Sequence, residues 1–337
     1  MLKHRLLMSA LLIPATIGLF VWDQHLGESA PVLLVLVLLI SARCVWELTT
    51  LARHAGFCPS PWVLVAANSL LIFVSWLPRL DNSGQLRFWF LAQENFVSWL
   101  TLFAGISLCL LLNALLRYPL DNARSTEIQS DSDLLAHGAR TSVVAVNEVA
   151  ALRGREIGTL GFELFVIVYI GVLLTMTSQL RWLEHRGRPF GWVEAEVGYF
   201  ALGALMVATK MGDVGAYTFG RLIGGPKMVP RLSPGKTWAG GVGHLITAGL
   251  CSVAWLCWLG PSISYRWDRW PITSAFVFGV VVGFAGLIGD LFESLIKRDV
   301  GVKDAPVLLP GFGGLLDLMD SILLAGPVAY GMWHLLR

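Results

Sequence analysis

The chain has 337 residues, of which 55% are hydrophobic and 14% charged, against about a quarter charged in an average soluble domain. That balance identifies a membrane protein and excludes a soluble globular domain. A formal net charge of +2, with no basic run resembling a binding arm, argues against a nucleic-acid partner.

Apolar stretches of roughly 17 to 25 residues, each long enough to cross about 30 Å of hydrocarbon, recur over 6–22, 31–51, 62–78, 97–116, 160–180, 197–219, 239–260, 272–292 and 315–336. The expectation is an all-α, polytopic integral membrane protein with about nine transmembrane helices. It divides into N-terminal transmembrane helices over 1–118, a cytoplasmic polar loop over 119–159 and a C-terminal transmembrane region over 160–337 that carries the chemistry. Lys3, His4 and Arg5 precede the first stretch as in a signal peptide, but a small-x-small cleavage site is wanting and Trp22 stands where an interfacial anchor belongs. A retained helix is the better assignment.

Short cytoplasmic loops are enriched in Lys and Arg. With the amino terminus in the cytoplasm, fifteen such residues fall inside and eight outside, while Arg43 and Lys210 fall within helices. The loops that carry chemistry then face the cytosol. The polar connection with Ser130, Asp131, Ser132 and Asp133 near its middle reads as a solvated loop. No internal repeat is visible, which counts against an alternating-access carrier. Cys44, Cys58, Cys109, Cys251 and Cys257 are odd in number and have no His or Cys partners at zinc spacing, so structural thiols are expected rather than disulfides or a zinc module.

The first polar cluster ends the sixth stretch. Lys210 and Asp213 are three apart and share a helix face, either as a neutralised packing pair or as a ligand contact. Tyr217, Gly220 and Arg221 follow, then Ser233-Pro234-Gly235-Lys236-Thr237 before the seventh stretch. Two hydroxyls, a glycine and a lysine at a helix start favour an anion. The spacing is not that of a Walker loop, because the first glycine is missing, and a basic turn on lipid phosphates is the plainer alternative.

The second cluster joins the last two stretches. Asp290 and Glu293 are three apart, Glu293 lies four before Lys297, and Asp317 and Asp320 repeat the three-residue spacing. Arg298, Lys303 and Asp304 lie between, with Gly311, Gly313 and Gly314 next to the second pair. Ionisable groups at the membrane edge suggest function by default. Hard carboxylate oxygens beside phosphate-seeking cations favour Mg2+ over zinc, with nucleotide phosphates completing the shell. Helix capping by Asp317 or Asp320 is the competing explanation.

The run from Ser294 through Lys297-Arg298, Lys303-Asp304 and Pro310-Gly311-Phe312-Gly313-Gly314 to Asp317 and Asp320, preceded by Gly289-Asp290-Leu291-Phe292-Glu293, resembles the signature of the phosphatidate cytidylyltransferase (CDP-diacylglycerol synthase) family. The resemblance extends to Asp213-Val214-Gly215-Ala216-Tyr217, Phe219-Gly220-Arg221, Ser233-Pro234-x-Lys236-Thr237-Trp238 and the opening Met1-Leu2-Lys3-His4-Arg5. It is close over about 200–330 and loose before that. The resemblance implies transfer of a cytidylyl group from CTP to phosphatidic acid, forming CDP-diacylglycerol and pyrophosphate for phospholipid synthesis.

By that resemblance, Asp290 and Asp317 hold one or two Mg2+ ions, with a monovalent cation also admissible, and Lys297, Arg298 and Lys303 join them as catalytic groups. Asp213, Tyr217, Arg221, Ser233, Pro234, Lys236, Thr237, Glu293, Asp304, Gly313, Gly314 and Asp320 fall to substrate binding. It further implies membrane lipids as partners, a homodimer, and a multi-pass place in the inner (plasma) membrane with the site facing the cytoplasm. Three positions depart from the family: Phe312 replaces a usual His, Leu318 a usual Arg and Ala239 a usual Glu. Each substitution removes a polar group. A CTP-dependent enzyme acting on another lipid phosphate and a catalytically silent paralogue are the competing classes.

Overall fold

A computed structural model describes residues 2–80, 155–183, 195–263, 270–301 and 313–336. In hydrocarbon a segment must satisfy its own backbone N–H and C=O groups, so long apolar stretches become helices. They are α1 (Leu2–His25), α2 (Pro31–His54), α3 (Pro61–Leu80), α4 (155–182), α5 (Ala195–Leu222), α6 (238–263), α7 (Ile272–Asp299) and α8 (Leu315–Leu336). Seven of these, α2 to α8, contain stretches long and apolar enough to cross a membrane. The first expected span, over 6–22, lies within α1, a helix of 24 residues that is not among the seven. The expected span over 97–116 and most of the 119–159 loop lie outside the described residues.

Between α5 and α6 the chain forms a two-stranded antiparallel hairpin, β1 (Lys227–Val229) and β2 (Ser233–Thr237), pairing Lys227 with Thr237 and Val229 with Ser233. The segment expected as a loop at a helix start is thus an extended strand leading into α6. Thr237 ends it as a helix cap, its Oγ1 accepting from the Gly240 N–H at 3.1 Å. The Trp238 N–H donates to the Pro226 carbonyl at 3.1 Å. Two of the leading amides are therefore engaged within the protein.

The helices α5, α6, α7 and α8 pack in succession, and α2 and α4 lean on α8. Small residues let their backbones approach, as expected in lipid, where close packing drives association. A Cβ on Gly215 of α5 would lie 2.6 Å from the Gly243 carbonyl of α6, and one on Gly279 of α7 would lie 2.5 Å from the Ala248 carbonyl. Gly289 of α7 abuts the carbonyl of Asp320 on α8. The acidic ends of α7 and α8 are held together by that contact.

A polar clasp ties α1, the α1–α2 loop, α4 and α5 together away from the hairpin. Asp23 accepts from the Tyr199 hydroxyl and, at 2.7 Å, from the Val32 N–H at the start of α2. Arg181, counted with the outer loops from the sequence, is fully buried at the end of α4. Its guanidinium lies 4.5 Å from the Tyr199 ring centre, and its Nη2 donates to the Gly27 carbonyl at 3.2 Å. Trp182 and Trp76 donate to the Glu28 and Ser29 carbonyls, both at 2.8 Å. The described cysteines Cys44, Cys58, Cys251 and Cys257 are free thiols.

Candidate active site

The ends of α5 and α7, the start of α6 and the hairpin enclose a cavity of about 610 Å³ lined in part by Asp213, Tyr217, Arg221, Lys236, His244 and Asp290. Its location follows from sequence order. The run of polar residues ending α5 is turned back by the hairpin, which delivers Lys236 and the Thr237 cap against α7. Lys236 Nζ meets Asp290 Oδ2 at 2.7 Å. Arg221 donates to the Tyr217 hydroxyl at 2.7 Å along one face of α5. Both are exposed at the cavity lip.

Beside the cavity, Asp290, Glu293 and Asp320 bring carboxylate oxygens within 4.8 Å of one another. Asp290 belongs to both the cavity and this triad, so it joins them. Two cations border the triad besides Lys236. Lys297 Nζ sits 2.9 Å from Glu293 Oε2 and 2.9 Å from Asp317 Oδ1. Lys210 Nζ lies 3.7 Å from Asp213 Oδ2, 4.0 Å from Asp320 Oδ1 and 3.4 Å from the Ser321 hydroxyl. The sequence spacing of Glu293 with Lys297, and of Lys210 with Asp213, is thus realised in contacts.

Asp317 takes a different place from Asp290. Its Oδ1 faces Lys297, while its Oδ2 accepts from the Gly314 N–H at 3.0 Å. Capping and ion pairing are both present in this one side chain. Asp320 accepts from the Ser321 N–H and hydroxyl as well as facing Lys210. Gly313, at φ +89°, adopts a left-handed conformation, and a Cβ there would strike Asp317 Oδ2. Gly314 supplies the amide that Asp317 caps.

Ser233 is half-buried and Pro234 exposed on β2, outside the cavity lining. Arg298 is exposed and donates Nε to the Leu232 carbonyl at 3.3 Å, fastening the end of α7 to the hairpin. Lys303, Asp304 and Phe312 lie outside the described residues. Ala239 and Leu318 are half-buried, in the first turns of α6 and α8.

The triad suits a hard divalent cation. All three donors are carboxylates, and Glu293 Oε1 is buried with no hydrogen-bond partner among the described residues. A cation would satisfy that oxygen. The formal charges agree: Asp213, Asp290, Glu293, Asp317 and Asp320 face Lys210, Lys236 and Lys297. The excess of two negative charges is what one divalent ion balances.

Two residues escaped the sequence. His244, buried on α6, directs Nε2 to the Gly283 carbonyl at 2.9 Å and Nδ1 toward Asp213 Oδ1 at 3.7 Å. Glu47, buried on α2, accepts from the Leu315 and Leu316 N–H groups of α8 at 3.0 and 2.9 Å. The available signal for Glu47 was its pairing with Arg43 at i,i+4 inside an otherwise apolar span, since paired charges there need a reason; the pair is formed at 2.9 Å.

The sequence pattern of the cytidylyltransferase family matches residues 3–336. The chain belongs to this family. A phosphatidate cytidylyltransferase of Mycobacterium leprae is 39% identical over 139 residues, covering 39% of this chain and 40% of that protein. One from Chlamydia muridarum is 30% identical over 178 residues, covering 52% of this chain and 55% of the other. The Escherichia coli protein YnbB is 39% identical over 128 residues, covering 37% of this chain and 40% of its own length. The match therefore spans between 40% and 55% of the length of these relatives.

Proposed function

We propose that the protein transfers the cytidylyl group of CTP to phosphatidic acid, forming CDP-diacylglycerol and pyrophosphate, at the cytoplasmic face of a bacterial inner membrane. The observation that carries this reading is the sharing of Asp290 between a nucleotide-sized cavity and a carboxylate triad bordered by lysines. The family membership and the names of the relatives support it.

In this reading Lys236 and Arg221 hold the anionic triphosphate within the cavity. A phosphate oxygen of the lipid attacks the α-phosphorus of CTP, a new P–O bond forms, and the bond to the β-phosphate breaks with release of pyrophosphate. The lipid phosphate is already anionic near neutral pH, so no general base is required and catalysis rests on orientation and charge. Asp290, Glu293 and Asp320 would hold Mg2+, with Asp317 beside Glu293 and paired with Lys297. The ion when bound neutralises phosphate oxygens. Lys297 keeps Glu293 and Asp317 at fixed separation.

The test is pyrophosphate release from CTP by the purified protein in detergent, with Mg2+ and phosphatidic acid, beside Asp290→Asn. Turnover is expected to need the lipid, the metal and Asp290. A folded wild type that releases no pyrophosphate with phosphatidic acid would overturn the assignment. Turnover only with a polyprenyl phosphate would move it to another lipid acceptor.

A further inference from the structure

We propose that Glu47, on α2 and far from the cavity in sequence, is a positioning residue for the acidic cluster, acting through the first turn of α8. The kinetic part of this proposal rests on the cytidylyl-transfer reading; its structural part does not.

Glu47 is completely buried in a membrane-spanning helix, where an uncompensated carboxylate is strongly disfavoured. Its compensation is specific. Oε1 accepts from the Leu315 N–H at 3.0 Å and lies 2.9 Å from Arg43 Nε in an ion pair, and Oε2 accepts from the Leu316 N–H at 2.9 Å. The first amides of a helix have no partner within it, and the positive end of the helix dipole favours a carboxylate there. A local Ser or Thr cap would engage one such amide. Here Glu47 takes two and Asp317 takes the Gly314 N–H, so three successive amides are held by two carboxylates.

The consequence lies in what α8 carries next. Asp317 follows Leu316 directly and Asp320 lies one turn on, sharing its face. Asp317 is fixed to Lys297, which is fixed to Glu293, and Asp320 completes the triad. A continuous set of polar contacts therefore links α2 to the triad. Loss of Glu47 frees the start of α8 from α2 and lets both aspartates shift against α7, and a displacement of about 1 Å costs on the order of 10²-fold in rate.

The experiment compares wild type, Glu47→Gln and Glu47→Ala in detergent, with Mn2+ as the probe and its free concentration read by electron paramagnetic resonance. Where turnover is present, kcat and KM for CTP are measured too. Glu47→Ala is expected to weaken Mn2+ binding about tenfold or more and to lower kcat on the order of 10²-fold, with KM for CTP within about threefold. Glu47→Gln, which keeps one acceptor oxygen, is expected to recover part of both.

Wild-type Mn2+ affinity in a folded Glu47→Ala, or in Glu47→Gln should the alanine variant not fold, would overturn the proposal. A wild type that binds no Mn2+ would overturn it as well, since no metal site would then need positioning. Mn2+ binding without turnover on any lipid phosphate would sink the cytidylyl-transfer reading, while the variants' Mn2+ affinities would still decide the role of Glu47.

Discussion

Replacing Lys297 by Met keeps an unbranched side chain one atom shorter and deletes one charge at the point where α7 and α8 meet. In the wild type its ammonium contacts Glu293 and Asp317, each at 2.9 Å, and the Glu293 side chain is only 2% exposed. At an effective dielectric of about 20, each contact contributes roughly 6 kcal/mol of gross attraction, and desolvation of three charged groups offsets most of that sum. Removing one member of a buried pair typically destabilises by about 3–5 kcal/mol, because the remaining charge is left uncompensated. Lys297→Met is expected to lose that much, read as the shift in free energy of unfolding of the detergent-solubilised protein in a denaturant titration. Adding Glu293→Gln to Lys297→Met should recover at least half of the loss, since the second substitution removes the more deeply buried of the two stranded charges. A Lys297→Met protein within about 1 kcal/mol of wild type, or a double variant no more stable than the single one, would refute the assignment of Lys297 as the charge that joins the two helices.

Lys236→Met should behave in the opposite way: its pair with Asp290 is partly exposed, at 21% and 33%, so stability should fall by no more than about 1 kcal/mol. Turnover, measured as pyrophosphate release, should fall on the order of 10²- to 10³-fold if Lys236 stabilises phosphate charge. Gly289→Ala would press a methyl group onto the Asp320 carbonyl; denaturant titration should show a loss of about 1–3 kcal/mol, and Mn2+ affinity should drop with it. Thr237→Val removes the cap of α6 and should cost about 1 kcal/mol by the same titration, while raising KM for CTP because Lys236 precedes the cap.

Local regularities were legible in the sequence because the α-helix imposes them. Apolar stretches of membrane length became α2 to α8, and pairs three or four residues apart, Lys210 with Asp213 and Glu293 with Lys297, met as their spacing required. The segment before α6 reads locally as an anion-seeking loop at a helix start; pairing with Lys227–Val229 makes it a strand. Contacts between distant segments were not legible. Lys236 finds Asp290, and Glu47 finds the start of α8, only through the order in which the helices pack. The place of Asp317 illustrates the same limit: its spacing to Asp320 is local, whereas its contacts with Lys297 and Glu293 depend on how α7 and α8 pack. Arg181 counted as an outer-loop cation by position, yet its burial depends on Asp23 and Tyr199, which no local pattern connects to it.

The clasp around Arg181 fastens one end of α5. Tyr199 anchors one end of that helix, and Asp213 borders the cavity fourteen residues later, about 21 Å along the axis. The other end is held as well, because a Cβ on Gly212 would meet the His244 ring and one on Gly215 the Gly243 carbonyl of α6, both within 2.6 Å. Tyr217 and Arg221 are thereby presented at the cavity lip from a helix fastened at both ends.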